Sequence, residues 1–525
     1  MTGERSTLAR AAGIVGAATL LSRLLGFVRD VVIASRFGTG MRADAFFVAF
    51  RLPNTLRELL GEGALSAAFV PMFTARLASH GRDAARALAG RVLGTFLVAL
   101  GLAVVAGILA APVLIRIQAP GFAATPAKLA LTIALAQWMF PYLLCVGTAA
   151  LVMGVLNALD HFVTPALAPS VLNLGLIGAT LILAPRLTEP AFALAAGVLL
   201  GGMAQLAIQL PPLRRLGPPG PVRIAFRDPE VRRIARLMVP GAIGLAITQV
   251  NQLLGTLLAS FLGEGGVASL YYAFRLVQFP IGVVGVALGT AALPPLARAV
   301  AAGRAAEARA TLVRALRLAL FLTVPALVGL LVFAQPIIRL LFERGAFGAD
   351  ATTATAGVLR WYALGLGCYV ANRLVVPAYH AHQDTRTPVR YGALAVACNL
   401  AASLALIGPL GVGGIAAGTA LGSGVNSLLL FRGLRVRLGP WADASWAAWG
   451  GKVLAASGAM GGVGLLVRPL TEAGGLATVA ALAATAGSYV LAAAALRCPE
   501  VREAWAFARR GRSLRASGEG SFPVD

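Results

Sequence analysis

The chain has 525 residues, of which 58% are hydrophobic and 13% charged, with a mean hydropathy of +0.80. Soluble globular proteins carry about 25% charged residues, so the polar surface is too small for several water-facing domains or for a disordered chain. The 45 Lys+Arg against 21 Asp+Glu give a net charge of +24, yet no basic segment is interleaved with aromatics on a polar face, which argues against nucleic acid.

What remains is an all-α integral membrane protein. A hydrocarbon core about 30 Å thick needs about 20 mostly apolar residues per helix. That rule predicts spans near 8–36, 42–78, 87–114, 126–155, 163–184 and 188–211, then a basic interval at 212–236. Further spans are predicted near 237–261, 268–299, 310–333, 352–380, 385–407, 412–431, 450–468 and 473–496, fourteen in all. The first run follows Arg5 and Arg10 like a signal peptide, but Arg23 interrupts it and no cleavage site follows, so it is read as a retained helix. Small-xxx-small spacing, as in Gly414-xxx-Gly418-xxx-Gly422, Gly285-xxx-Gly289 and Gly197-xxx-Gly201, predicts close helix approach. Cys145, Cys368, Cys398 and Cys498 form no CxxC pair and read as small buried thiols.

Basic residues crowd alternate loops: Arg76 to Arg91, Arg214 to Arg236, Arg298 to Arg317, Arg386, Arg390, Arg432 to Arg437, Lys452 and the tail. The other side holds few, among them Arg42, Lys128, Arg339, Arg344 and Arg468. Cytoplasmic loops collect Lys and Arg, so both termini are expected in the cytoplasm.

An internal repeat underlies the pattern. Ala49-Phe50-Arg51-Leu52 returns as Ala273-Phe274-Arg275-Leu276, an offset of 275 − 51 = 224, with Gly61 and Gly285, and Pro71 and Pro295, in the same register. Six spans per half is even, so the repeat is parallel about an axis along the membrane normal. The expected organisation is an N-lobe at 1–211, a basic linker at 212–236, a C-lobe at 237–437, two extra helices at 438–496 and a basic tail at 497–525. Two such six-helix lobes facing each other would leave a central cleft, the layout of alternating access.

Ionisable groups inside spans are costly and normally face a hydrated or protein interior. Arg23, Arg29, Asp30, Asp44, Arg51, Arg57, Glu58 and Glu62 fall there in the first half, and Arg275 in the second, with Arg360 and Arg373 read as an interfacial anchor and a structural pair. Arg23 and Arg29 could alternatively snorkel to an interface, and Asp30, Glu58 and Glu62 read as partners of the arginines. The excess of guanidinium predicts an anionic ligand, and phosphate suits its bidentate fork. His380, His382 and Asp384 have ligand-type side chains but lie at a cytoplasmic span end and read as a solvated loop, so no metal site is assigned. No nucleotide-binding or hydrolase motif occurs, so no enzyme chemistry is expected.

Three segments carry a resemblance: Ser22-Arg23-Leu24-Leu25-Gly26-Phe27-Val28-Arg29-Asp30, Asp44-Ala45-Phe46-Phe47-Val48-Ala49-Phe50-Arg51-Leu52-Pro53-Asn54 and Glu62-Gly63-Ala64-Leu65-Ser66-Ala67-Ala68-Phe69-Val70-Pro71. With Ala119-Pro120-Gly121-Phe122, Tyr271-Tyr272-Ala273-Phe274-Arg275-Leu276 and Gln383-Asp384-Thr385-Arg386-Thr387-Pro388, they resemble the MurJ (MviN) family of lipid II flippases over nearly the whole chain. The family belongs to the multidrug/oligosaccharidyl-lipid/polysaccharide exporter superfamily. The resemblance implies two six-helix lobes plus two C-terminal helices bordering a lipid-tail groove. It maps the family's required arginines onto Arg23, Arg29, Arg57 and Arg275 and an acidic helper onto Asp30. Arg51, the repeat-mate of Arg275, and Glu62 join them as expected substrate-binding residues.

The implied partners are lipid II and the bacterial cytoplasmic (inner) membrane, with cell-wall synthesis proteins as further candidates. No cofactor is implied, and the membrane potential is the candidate driving force. Other members often carry acids beside the equivalent of Arg275, where this chain has Phe274 and Gln278. Span 7 offers Gln249, Asn251 and Gln252 without a carboxylate, which argues against sodium coupling. The alternative readings are export of another polyprenyl-linked oligosaccharide or of small amphipathic compounds, and a scaffold for cell-wall enzymes.

Overall fold

The computed structural model describes residues 2–58, 65–217, 219–439 and 444–501, with side chains omitted at 2–14, 66–67, 241–248 and 444. Among the described residues the fold is all-helical, with no strand. In chain order the helices are α1 (Thr2–Phe37), α2 (Met41–Arg57), α3 (Ser66–Gln118), α4 (Pro126–Met139), α5 (Tyr142–Ala158), α6 (Val163–Ile182) and α7 (Phe192–Ala207). They continue as α8 (Leu210–Leu216), α9 (Pro229–Ala259), α10 (Gly266–Pro280), α11 (Ala287–Ala301), α12 (Ala305–Val332) and α13 (Ala334–Phe342). The series closes with α14 (Ala349–Leu364), α15 (Leu366–Ala381), α16 (Arg386–Leu410), α17 (Val412–Leu438), α18 (Ala444–Val467) and α19 (Gly475–Ala495).

Among the described residues, ten segments are long and apolar enough to cross a membrane. Outside those ten lie α1, α2, α9, the short α13 and the α14–α15 pair. Of these, α1, α2 and the α14–α15 pair carry Arg23, Arg29, Arg51, Arg57, Arg360 and Arg373, whereas Arg275 lies within the Gly266–Ala301 segment. Packing divides the chain into two compact units, one spanning Met1–Tyr271 with Phe342–Ala351, the other Tyr272–Leu341 and the chain from Thr352 onward.

In the first unit, α3 covers more than one predicted span because it continues through a bend at Gly81, whose φ of 80° lies in the left-handed region glycine tolerates. Next along this unit comes the interval 212–236. It contains the end of α8, an extended strap and the start of α9. Gly220 N–H donates to the Arg86 carbonyl at 2.8 Å and Ala225 N–H to Thr95 Oγ1 at 2.9 Å, fastening the strap along α3. Gly90 and Gly94 make room for it, since a Cβ at either would overlap the backbone of Gly220 or Arg223. Asp228 then caps α9, accepting from the N–H groups of Glu230 and Val231, with Pro229 in the first turn. Arg91 lies 3.2 Å from Asp228 and 2.8 Å from Glu230. Gly197 and Gly201 on α7 face Leu172, Leu176 and Ala179 of α6, so the small-residue spacing there is a packing face.

In the second unit the same logic joins α16 to α17. A Cβ on Gly414, Gly418 or Gly422 would overlap Leu406, Ser403 or Ala395 of α16. A π-helical turn at Ile281–Val286 separates α10 from α11, and Gly285 and Gly289 lie against Arg373 of α15. Phe321, Trp449, Val453, Met460 and Tyr489 form a core between α12, α18 and α19, tied by Tyr489 Oη donating to the Phe321 carbonyl at 2.7 Å.

Candidate functional site

Arg29 is the most elaborately held of the expected residues. Its Nε and Nη2 donate to Asp30 Oδ1 at 3.0 and 2.7 Å, Nη2 also to Tyr271 Oη at 3.0 Å, and Nη1 to Asn173 Oδ1 at 3.1 Å. The Tyr271 hydroxyl in turn donates to Asp30 Oδ1 at 3.1 Å, and Asn173 Nδ2 to the Ser22 carbonyl at 3.2 Å. Phe47 stacks on the Tyr271 ring with centroids 4.0 Å apart. The Arg29 side chain is 12% exposed and that of Asp30 is fully buried. A guanidinium has five N–H donors; four are engaged here, and one Nη1 hydrogen is left over. Helices α1, α6 and the start of α10 thus converge on a single cation.

The second group lies on α2 and α9. Arg51 Nη1 donates to the Gln252 carbonyl and to Thr256 Oγ1. Arg57 Nε donates to Asn54 Oδ1 at 3.1 Å, and its Nη2 is 3.7 Å from Glu58 Oε1. Gln249 Nε2 donates to Glu58 Oε2, while Asn54 Nδ2 donates to Glu58 Oε1 at 2.9 Å. The carboxylate missing from span 7 is therefore supplied to Gln249 by Glu58, at the end of α2. Arg23 is exposed in a stretch where Leu20 and Leu24 are exposed too, and it makes no hydrogen bond or ion pair among the described residues. Arg275 belongs to the second unit, where it is partly exposed and donates to Gln278 Oε1 at 3.4 Å. Glu62 lies outside the described residues.

One residue differs from its sequence reading. Lys128, counted with the loop cations of the outer side, is 3% exposed and its Nζ lies 2.7 Å from Asp44 Oδ2. Asp44 is buried as well and accepts from the N–H groups of Gly265 and Ala268, each at 2.8 Å, so it also caps α10. The ammonium lies over the Phe122 ring, 4.1 Å from its centroid. A signal for this was present. Lys128 stands in the first turn of a helix opened by Pro126, where the helix dipole disfavours a cation, so a carboxylate partner is required.

Asp384, grouped by sequence with His380 and His382, is occupied by its own helix. It accepts from the N–H groups of Arg386 and Thr387 at 3.1 and 2.9 Å, from Thr387 Oγ1 at 2.6 Å and from Arg437. Those contacts, the Thr387 hydroxyl first, hold its carboxyl well below the usual range.

The family model described as lipid II flippase MurJ matches residues 33–484. A probable lipid II flippase MurJ of Rhizobium meliloti is 44% identical over 436 residues, covering 81% of this chain and 80% of that protein. The lipid II flippase MurJ of Burkholderia cenocepacia is 36% identical over 435 residues, covering 82% and 84%. Among solved structures, a lipid II flippase MurJ in an inward closed conformation superposes with a TM-score of 0.77 at 24% identity, covering 91% of this chain and 97% of that one. An inward-facing multidrug-resistance MATE transporter shares the fold with a TM-score of 0.66 at 15% identity, covering 81% and 98%. On a family match spanning most of its length, the chain belongs to the MurJ family of lipid II flippases.

Proposed function

We propose that this protein is a multi-pass flippase that carries lipid II, an undecaprenyl-diphosphate-linked peptidoglycan precursor, from the inner to the outer leaflet of a bacterial cytoplasmic membrane. It acts as a carrier, and not as an enzyme. Both termini are cytoplasmic, which the crowding of arginine in alternate loops supports. The observation that carries the reading is Arg29, a membrane-depth guanidinium whose hydrogen bonds to Asp30, Tyr271 and Asn173 fix its plane and leave an Nη1 hydrogen for a ligand.

In this reading Arg29 and Arg57 are held rigid by neutral amides and a carboxylate each, while Arg23, Arg51 and Arg275 add positive charge for the diphosphate. Asp30 and Glu62 set the position of the cations they accompany. Moving a polar head group through hydrocarbon costs several kcal/mol for each unsatisfied group, and fixed donors along the path offset that cost. The potential, negative inside, favours outward movement of an anion by about 2.3 kcal/mol per charge per 100 mV, which supplies a driving force without ATP or sodium.

An exporter of small cations would need uncompensated carboxylates where this chain has arginines, so that reading is disfavoured. Expression in a strain depleted of its own flippase tests the proposal. Wild type restores growth, and Arg29→Ala at equal abundance does not. Restoration by Arg29→Ala would point to a scaffold with no transport role.

A further inference from the structure

The strap between α8 and α9 combines charge and apolar surface in a way that a water-facing loop does not need. The interval 212–236 holds seven arginines but only two carboxylates, Asp228 and Glu230. Both carboxylates are engaged by α3. Glu230 lies 3.4 Å from Arg76 and 2.8 Å from Arg91, and Arg91 also lies 3.2 Å from Asp228. Arg223, Arg227, Arg233 and Arg236 are exposed and make no ion pair among the described residues. Arg232 Nε donates to the Phe226 carbonyl at 3.0 Å, which closes the end of the strap.

The hydrogen bonds of the strap give its height on α3. Gly220 N–H reaches the Arg86 carbonyl, Arg223 N–H the Gly90 carbonyl at 3.4 Å and Ala225 N–H the Thr95 hydroxyl. The chain thus climbs α3 from Arg86 to Thr95, about 13 Å at the rise of an α-helix. On α3 no charged residue follows Arg91 until Arg116, so the helix enters hydrocarbon just beyond Arg91, and the strap crosses that level. At this height, at every second position, Val222, Ile224 and Phe226 are 58%, 65% and 49% exposed. Their apolar side chains are flanked by free guanidinium groups, the composition of an element lying in a membrane interface.

From this placement we infer that the strap is an interfacial anchor. It inserts Val222, Ile224 and Phe226 at the boundary of head groups and acyl chains in the cytoplasmic leaflet, and Arg223, Arg227, Arg233 and Arg236 hold it there on the phosphates of anionic phospholipid. An acidic soluble partner fits less well, because the apolar edge lies level with the entry of α3 into hydrocarbon. The inference rests on how the strap lies against α3 and is independent of what the protein carries.

Two measurements test it on the full-length chain, in nanodiscs of phosphatidylcholine with and without phosphatidylglycerol. In the first, a nitroxide is placed at Ile224→Cys after Cys145, Cys368, Cys398 and Cys498 are replaced by alanine. A second label at Asp83→Cys, a fully exposed position, is the water reference. Relaxation by oxygen should dominate at 224 and relaxation by a water-soluble nickel complex at 83. Phosphatidylglycerol should lower the nickel accessibility at 224 about twofold or more, and Arg223→Gln/Arg227→Gln should abolish that response. The second measurement uses the unmodified protein: amide hydrogen exchange over 221–227 should slow when phosphatidylglycerol is present. A label at 224 as open to nickel as the one at 83 overturns the proposal. So does a response to phosphatidylglycerol that is absent in wild type or survives the double substitution, and so does unchanged amide exchange.

Discussion

Lys128 Nζ and Asp44 Oδ2 stand 2.7 Å apart with both side chains sealed from solvent, joining the first turn of α4 to α2 and, through Asp44, to the N-terminus of α10. Removing one member of a buried pair leaves the other charge uncompensated, at a cost of about 3–5 kcal/mol, whereas removing both is far milder.

Lys128→Met should therefore lower the thermal unfolding midpoint strongly, and Asp44→Asn should do the same. The double variant should be more stable than the sum of the two predicts. A double-mutant cycle in detergent measures the coupling, and additive effects would mean that the pair is not a unit.

Arg29→Lys should fail almost as completely as Arg29→Ala. A lysine ammonium cannot meet Asp30, Tyr271 and Asn173 in one plane. Tyr271→Phe removes one hydrogen bond of about 1 kcal/mol and should leave partial function. Complementation at matched protein levels gives the order, wild type above Tyr271→Phe above Arg29→Lys.

Gly418→Leu should destabilise the α16–α17 pair by about 1–3 kcal/mol or more, because the added atoms collide with Ser403 and the α16 backbone. Gly424→Ala, where nothing lies within 4 Å of a new Cβ, is the control and should be neutral in the same unfolding assay.

The Asp384 carboxyl titrates below its unfolded value because Thr387 and Arg437 favour the anion. A depressed folded value stabilises the protein above the unfolded value of about 3.9 and loses that contribution only as pH falls below it. Unfolding midpoints of wild type and Asp384→Asn should therefore differ by a constant amount between pH 5 and pH 8 and converge in stronger acid.

The all-helical membrane fold was legible because each turn of a membrane helix must satisfy its own backbone, so hydropathy reports the ten long apolar segments directly. Breaks inside the runs were not. The division of 126–158 into α4 and α5 and the π-helical turn after Pro280 depend on neighbours that no local pattern encodes. Arg29 and Arg51 stood out by depth alone, but their partners Asn173, Tyr271, Gln252 and Thr256 lie 144 to 242 residues away along the chain. Neutral groups at such separations carry no charge anomaly to reveal them. Lys128 did carry one, as a cation at a helix start, and only its assignment to a loop concealed it.

The most direct measurement of the central claim is the fraction of lipid II that a membrane-impermeant enzyme, added outside, can cleave in cells depleted of their own flippase. With this protein supplied the fraction should return to the undepleted level, and with Arg29→Ala at equal abundance it should stay low. Full external accessibility with Arg29→Ala, or none with wild type, would contradict the account.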